Sequence, residues 1–139
     1  ASANLNGAFL NLADLTGVCK FAWYRSRSFP MLIKRGLELM NEILVAATGF
    51  PFTPETLLRC GERVYNVEKL FNLREGFGRE SDYPPDRFFQ EETPDGPSKG
   101  AKLNRADYDR VLEDYYEARG WDKKTGKPTR KKLRELGLP

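Results

Sequence analysis

The six residues Asp14-Leu-Thr-Gly-Val-Cys19 join a carboxylate, a turn-permitting glycine and a thiol at the end of a helical stretch. A thiolate placed there can ligate a soft metal, and the carboxylate can accept hydrogen bonds from an NH-rich ligand. One thiol does not complete a site. Iron–sulfur clusters generally take four thiolates, and structural zinc takes four ligands from Cys and His. This chain has two cysteines, Cys19 and Cys60, and no histidine, so it closes neither site alone. The competing reading is that Cys19 is a small buried hydrophobe. The absence of histidine also removes the commonest general base near neutral pH.

A second constellation is defined by charge where apolar residues belong. Steps of four and three give Leu57, Gly61, Val64, Glu68, Phe71 and Glu75, a seam with helical spacing that predicts a core-facing stripe. A carboxylate on a buried face costs several kcal/mol unless a cation or several donors meet it. Arg63 and Arg74 lie five and six residues from Glu68, the wrong offsets on a helix. Its partner is therefore expected from another segment or another chain. The alternative is a narrow stripe of Leu57, Val64, Val67 and Phe71 with Glu68 at its wet margin.

Lys123, Lys124, Lys127, Arg130, Lys131, Lys132 and Arg134 put seven cations into twelve positions, just after Trp121. Such a run can bind phosphates, but no groove-reading motif accompanies it. The plainer reading is a solvated last helix whose cations suit its C-terminal dipole. Tyr115-Tyr116 at helical spacing reads as core plus hydrogen-bonded margin rather than a stacking platform.

The elements that must position these groups are helical. Leu5, Phe9, Leu10, Leu12 and Ala13 outline a first helix ended by Gly17. After a polar turn, Arg25-Ser-Arg-Ser28, Pro30 opens a second helix. It is apolar around much of its circumference through Leu44, the pattern of a central helix, and stops at Thr48-Gly-Phe-Pro51. Thr53-Pro54 reads as an N-cap and first helical residue of a long third helix to about Leu73. Residues 76–103 hold four Gly and four Pro, with Phe77, Tyr83, Phe88 and Phe89 as expected anchors, a long loop that lies across a surface or binds something. Asn104 with Asp107 caps a further helix ending at Gly120, and Thr129 caps a last one closed by Gly137. No alternating strand pattern of useful length appears, so the expected class is all-α. The expectation is one helical domain over 1–139, with a helical core at 1–75, a wrapping loop at 76–103 and C-terminal helices at 104–139.

Composition suits such a domain. At 139 residues, with 40% hydrophobic and 12% aromatic side chains, the chain can bury a core. Net charge is +3, too balanced to demand a nucleic-acid partner. No apolar run approaches the ~20 residues of a membrane span. Two scattered thiols fit a reducing, cytoplasmic compartment. There is no signal-peptide pattern, and a start at Ala1 without methionine suggests a piece of something longer.

Taken in order, several segments resemble the C-terminal part of the tungsten-containing aldehyde:ferredoxin oxidoreductases. They are Asp14-Leu-Thr-Gly-Val-Cys19-Lys-Phe21, Gly61-Glu-Arg-Val-Tyr-Asn-Val-Glu68 and Phe71-Asn-Leu-Arg-Glu-Gly76. Asp82-Tyr-Pro-Pro-Asp-Arg-Phe88, Tyr115-Tyr-Glu-Ala-Arg-Gly-Trp-Asp122 and Gly126-Lys-Pro-Thr129 running into Leu133-Arg-Glu-Leu-Gly-Leu138 complete the set. The resemblance covers nearly the whole chain. It implies a tungsten bis-pterin cofactor and a 4Fe–4S cluster, oxidation of an aldehyde to a carboxylic acid, and ferredoxin as electron acceptor. In the family a DxxGxC motif carries the fourth cluster cysteine, and it matches Asp14, Gly17 and Cys19. The resemblance thus implies that Asp14 hydrogen-bonds the pterin and that Cys19 ligates the cluster while bridging toward the pterin. Val18 stands where the motif commonly has Leu, a change for packing more than ligation.

The family's CxxCxxxC run, β-rich base and metal-proximal histidine have no counterpart in these 139 residues. The chain is therefore expected to supply one wall of a site, to carry no cofactor in isolation, and to have the enzyme's remaining domains as partners. No membrane or nucleic-acid partner is expected. Two other readings stay open: the related tungsten subunit of benzoyl-CoA-reductase-type enzymes, and an autonomous helical binding module using the basic tail.

Overall fold

In the computed structural model, residues 2–17, 19 and 29–139 are described, with side chains from residue 7 onward except those of 9 and 29–34. Six α-helices occur among them: α1 (Ser2–Thr16), α2 (Phe29–Thr48), α3 (Pro54–Arg74), α4 (Arg87–Gln90), α5 (Arg105–Arg119) and α6 (Arg130–Leu136), with a 3-10 turn at Arg79–Asp82. The described residues contain no β-strand, only an isolated antiparallel bridge between Trp121 and Pro128. The all-α expectation holds. By contacts the chain divides into two compact units, Ala1–Glu68 with Leu133–Pro139, and Lys69–Lys132.

Helix ends fall where the sequence signals put them. Thr53 Oγ1 accepts from Thr56 N at 3.2 Å while Thr53 N donates to Thr56 Oγ1 at 2.8 Å, a reciprocal cap that starts α3. Asn104 Oδ1 accepts from Asp107 N at 3.1 Å at the start of α5. At its end Trp121 N donates to Tyr116 O and Gly120 N to Glu117 O, the pattern of a Schellman stop, with the Tyr116 and Trp121 rings 6.0 Å apart. Thr129 Oγ1 accepts from Lys132 N at 3.2 Å to open α6.

In the first unit, Leu12 and Ala13 of α1, Leu37 and Met40 of α2 and Leu57 of α3 form the buried core, with Leu44, Phe52 and Leu58 packed against it. Gly61 permits this packing. A Cβ there would lie 2.1 Å from the Ala8 carbonyl oxygen, so α3 approaches the backbone of α1 as only glycine allows. α6 is tied in through its C-terminal carbonyls. Arg63 Nη1 donates to Leu136 O at 2.5 Å and Arg59 Nη2 donates to Glu135 O. Two cations one turn apart on α3 thus satisfy the end of a helix whose last carbonyls have no intrahelical donor.

Three expectations need correction. The α3 seam holds only at Leu57 and Gly61. Beyond them the buried positions are Asn66 and Lys69, while Glu68 is exposed and accepts from Asn11 Nδ2 at 3.3 Å. The alternative narrow stripe is right about buried Leu57 and about Glu68 at a wet margin, but it fails at Val67 and Phe71, which are 50% and 54% exposed. The reason is rotation: the buried line passes through Gly61, Asn66 and Lys69, which a search for apolar residues does not follow. On α2, the described side chains bury one face only, and Leu39 and Ile43 are about half exposed rather than wrapped. In the 76–103 segment Tyr83 and Phe89 are anchors, both against the ring of Tyr108, whereas Phe77 and Phe88 are exposed.

Candidate functional site

Asp14 and Cys19 lie on either side of a helix end. Asp14 occupies the last turn of α1 and is exposed. Thr16 Oγ1 folds back onto the carbonyls of Leu12 and Ala13 at 3.0 and 3.1 Å, closing the turn. Gly17 leaves the helix at φ 68°, with its N–H donating to Asp14 O at 3.3 Å. A side chain at Gly17 would meet nothing within 4 Å, so its requirement there is backbone conformation, not space. Two residues later Cys19 is an exposed free thiol, against the reading of a small buried hydrophobe. Val18, the polar turn at 25–28, Phe21 and Trp23 lie outside the described residues.

The chemistry of this corner is that of a contributor. An exposed sulfur just past a helix end is open to a soft metal, and a carboxylate on the preceding turn offers acceptors only. Among the described residues no group of three or more His, Cys, Asp or Glu could hold a metal ion, so any metal reached by Cys19 takes its other ligands from elsewhere. The donor set fits one corner of a thiolate-bound cluster.

The second unit contains an ionised hub that periodicity did not reveal. Lys69 Nζ lies 2.7 Å from Asp82 Oδ2, with Lys69 8% exposed, and the Tyr116 hydroxyl donates to the same carboxylate oxygen. The ammonium lies 5.3 Å from the centroid of Trp121 and 6.0 Å from that of Tyr116. Tyr108 Oη donates to Asp82 O at 2.9 Å. Around it Arg79 reaches the Lys123 carbonyl and the Tyr83 hydroxyl, and Tyr83 donates to Asp109. Burial, then the bond to Asp82, raises the Tyr116 phenol well above the ordinary value. Tyr83 is raised too, first by its bond to Asp109. Neither phenol releases a proton near neutral pH. The cluster therefore braces the 79–90 segment against α5 rather than supplying an acid or base. Tyr115 and Tyr116 accordingly stand as margin and core, not as a platform.

The basic run is a bonded turn leading into α6. Asp122 Oδ1 accepts from Thr125 N and Oγ1 at 2.8 and 2.7 Å, which lowers the Asp122 carboxyl below its usual range. Asp122 N donates to Lys127 O, and Thr129 N and Oγ1 both donate to Gly120 O.

A family model described as "Aldehyde ferredoxin oxidoreductase, domains 2 & 3" matches residues 5–138. The chain is 38% identical over 128 residues to a tungsten-containing aldehyde ferredoxin oxidoreductase of Pyrococcus furiosus, covering 91% of this chain and 19% of that protein. It is 36% identical to the protein of the same description from Thermococcus kodakarensis, with the same coverage. It is also 36% identical over 138 residues to the "aliphatic sulfonate oxidoreductase, WOR-like subunit" of P. furiosus, covering 94% of this chain and 22% of that one. The chain thus spans about a fifth of the length of the curated relatives it matches. With 134 consecutive positions falling under one model, it belongs to the aldehyde ferredoxin oxidoreductase family.

Proposed function

We propose that this chain is the C-terminal part of a cytoplasmic tungsten bis-pterin, 4Fe–4S oxidoreductase that converts aldehydes to carboxylic acids with ferredoxin as acceptor. The overall change is aldehyde plus water to carboxylic acid, two protons and two electrons, and each ferredoxin takes one electron. When bound, the pterin-held tungsten and the cluster supply the two-electron oxidation and the single-electron exit.

Within that reading Cys19 contributes one thiolate to the cluster, and Asp14 accepts hydrogen bonds from the pterin. The observation that carries it is the exposed Cys19 thiol just beyond Gly17, one short turn from an exposed Asp14. The remaining domains of the enzyme are the partner that completes the site. They would also cover the apolar side chains left open in the first unit, Leu15, Leu39, Ile43 and Phe50.

Similar identity to a relative named as an aliphatic sulfonate oxidoreductase subunit supports a second point: substrate choice is made outside this segment. The test is an anaerobic assay of the intact parent protein. Tungsten and four irons per chain, with ferredoxin reduced only when an aldehyde is added, is the expected result. Metal-loaded protein that reduces ferredoxin with a different substrate and never with aldehydes would assign it to a sister activity.

A further inference from the structure

Between Lys123 and Lys132 the chain carries six cations and no acid. Their surroundings differ. Lys123 Nζ is 2.5 Å from Glu117 Oε2, and Asp114 and Glu113 add to the raised affinity of that lysine for its proton. Lys124 lies near Asp122, whose carboxylate is engaged with Thr125. Lys127 and Lys131 are exposed, and among the described residues neither side chain has an acid at ion-pair distance. Being four residues apart, their Cα atoms lie within about 14 Å of each other.

These charges are held in a fixed place. The Trp121–Pro128 bridge, the Asp122–Thr125 contacts and the Thr129–Gly120 bonds close the turn on itself. Its base is Trp121, 4% exposed, under the Lys69 ammonium. Holding Lys127 and Lys131 exposed on a closed turn, with no acid at ion-pair distance of either among the described residues, raises the local positive potential. It does nothing for stability that a mixed surface would not do better.

We infer that this turn is a docking surface for an acidic protein, namely the one-electron carrier of the reaction proposed above, on which the inference rests. A carrier that comes and goes needs fast encounter and weak hold, which complementary surface charge supplies. Nucleic acid fits less well. Trp121 at the base of the turn is 4% exposed, so its ring is not free to stack on bases, and among the described residues no groove-reading helix accompanies the lysines.

The experiment uses the intact enzyme carrying Lys127→Glu with Lys131→Glu, an acidic ferredoxin as carrier, and the small cationic dye benzyl viologen as a control acceptor. Near 20 mM salt the KM for ferredoxin should rise about tenfold, and at about 0.5 M salt the difference should shrink below about twofold, because screening removes the contribution. Dye-linked turnover should stay at the wild-type rate. A Lys127→Gln, Lys131→Gln variant should show a smaller rise in KM and guards against misfolding of the charge-reversed form.

An unchanged ferredoxin KM at low salt with wild-type dye turnover overturns the inference. So does loss of duplex DNA binding in the variant with the ferredoxin KM unmoved. Failure of the unaltered enzyme to reduce ferredoxin while it reduces the dye would instead overturn the acceptor assigned under the proposed function, and the inference with it.

Discussion

Cys19 and Gly61 show two ways in which one atom decides a local structure. Cys19 matters for its exposed sulfur, and Gly61 for a carbon it lacks. A glycine inside a helix normally costs about 1 kcal/mol relative to alanine. Gly61→Ala should reverse that sign. The new Cβ would sit 2.1 Å from the Ala8 carbonyl, a backbone atom that cannot swing aside, so α1 and α3 must separate. A loss of about 2–3 kcal/mol is expected in urea denaturation of this chain. A gain of stability would show that the helices do not meet at this point. The sequence exposed the glycine's position on the seam but not its contact, because nothing local to Gly61 encodes how near Ala8 comes.

At the scale of elements, ends were more legible than faces. Thr53, Asn104 and Thr129 cap as their side chains predict, because a cap is a contact within one turn. The buried line of α3 was misread because it runs through Asn66 and Lys69. Lys69 is acceptable inside only because Asp82, thirteen residues later and beyond an irregular segment, returns to meet it. Single substitutions at this pair should differ in cost. Lys69→Met keeps the apolar stem beside Trp121 and leaves Asp82, whose side chain is 30% exposed, with water and the Tyr116 hydroxyl. Asp82→Asn strands a buried ammonium. We expect about 1–2 kcal/mol for the first and about 3 kcal/mol for the second, with the double variant recovering part of the loss. A denaturation series checks the order, and equal costs would mean that solvent reaches Lys69 freely.

At the scale of the molecule, the class was legible and the site only in part. Helical periods and the absence of alternating runs gave all-α. Resemblance in six ordered segments gave the family, and the match over residues 5–138 agrees with it. Ligation was never legible in spacing alone, because a cluster needs thiolates that these 139 residues do not contain. The role proposed for Cys19 is therefore tested in the intact enzyme.

The most direct test is iron and tungsten content per chain in intact Cys19→Ser protein, beside Asp14→Asn. Serine replaces a soft thiolate with a hard, poorly ionised oxygen. Cluster iron should fall by half or more and ferredoxin reduction should fail, while tungsten is largely kept. Asp14→Asn turns one acceptor into a donor and removes the charge, so tungsten should fall while iron stays. Full iron with full ferredoxin-linked activity in Cys19→Ser would contradict the account, leaving Cys19 as an exposed thiol with no metal to hold.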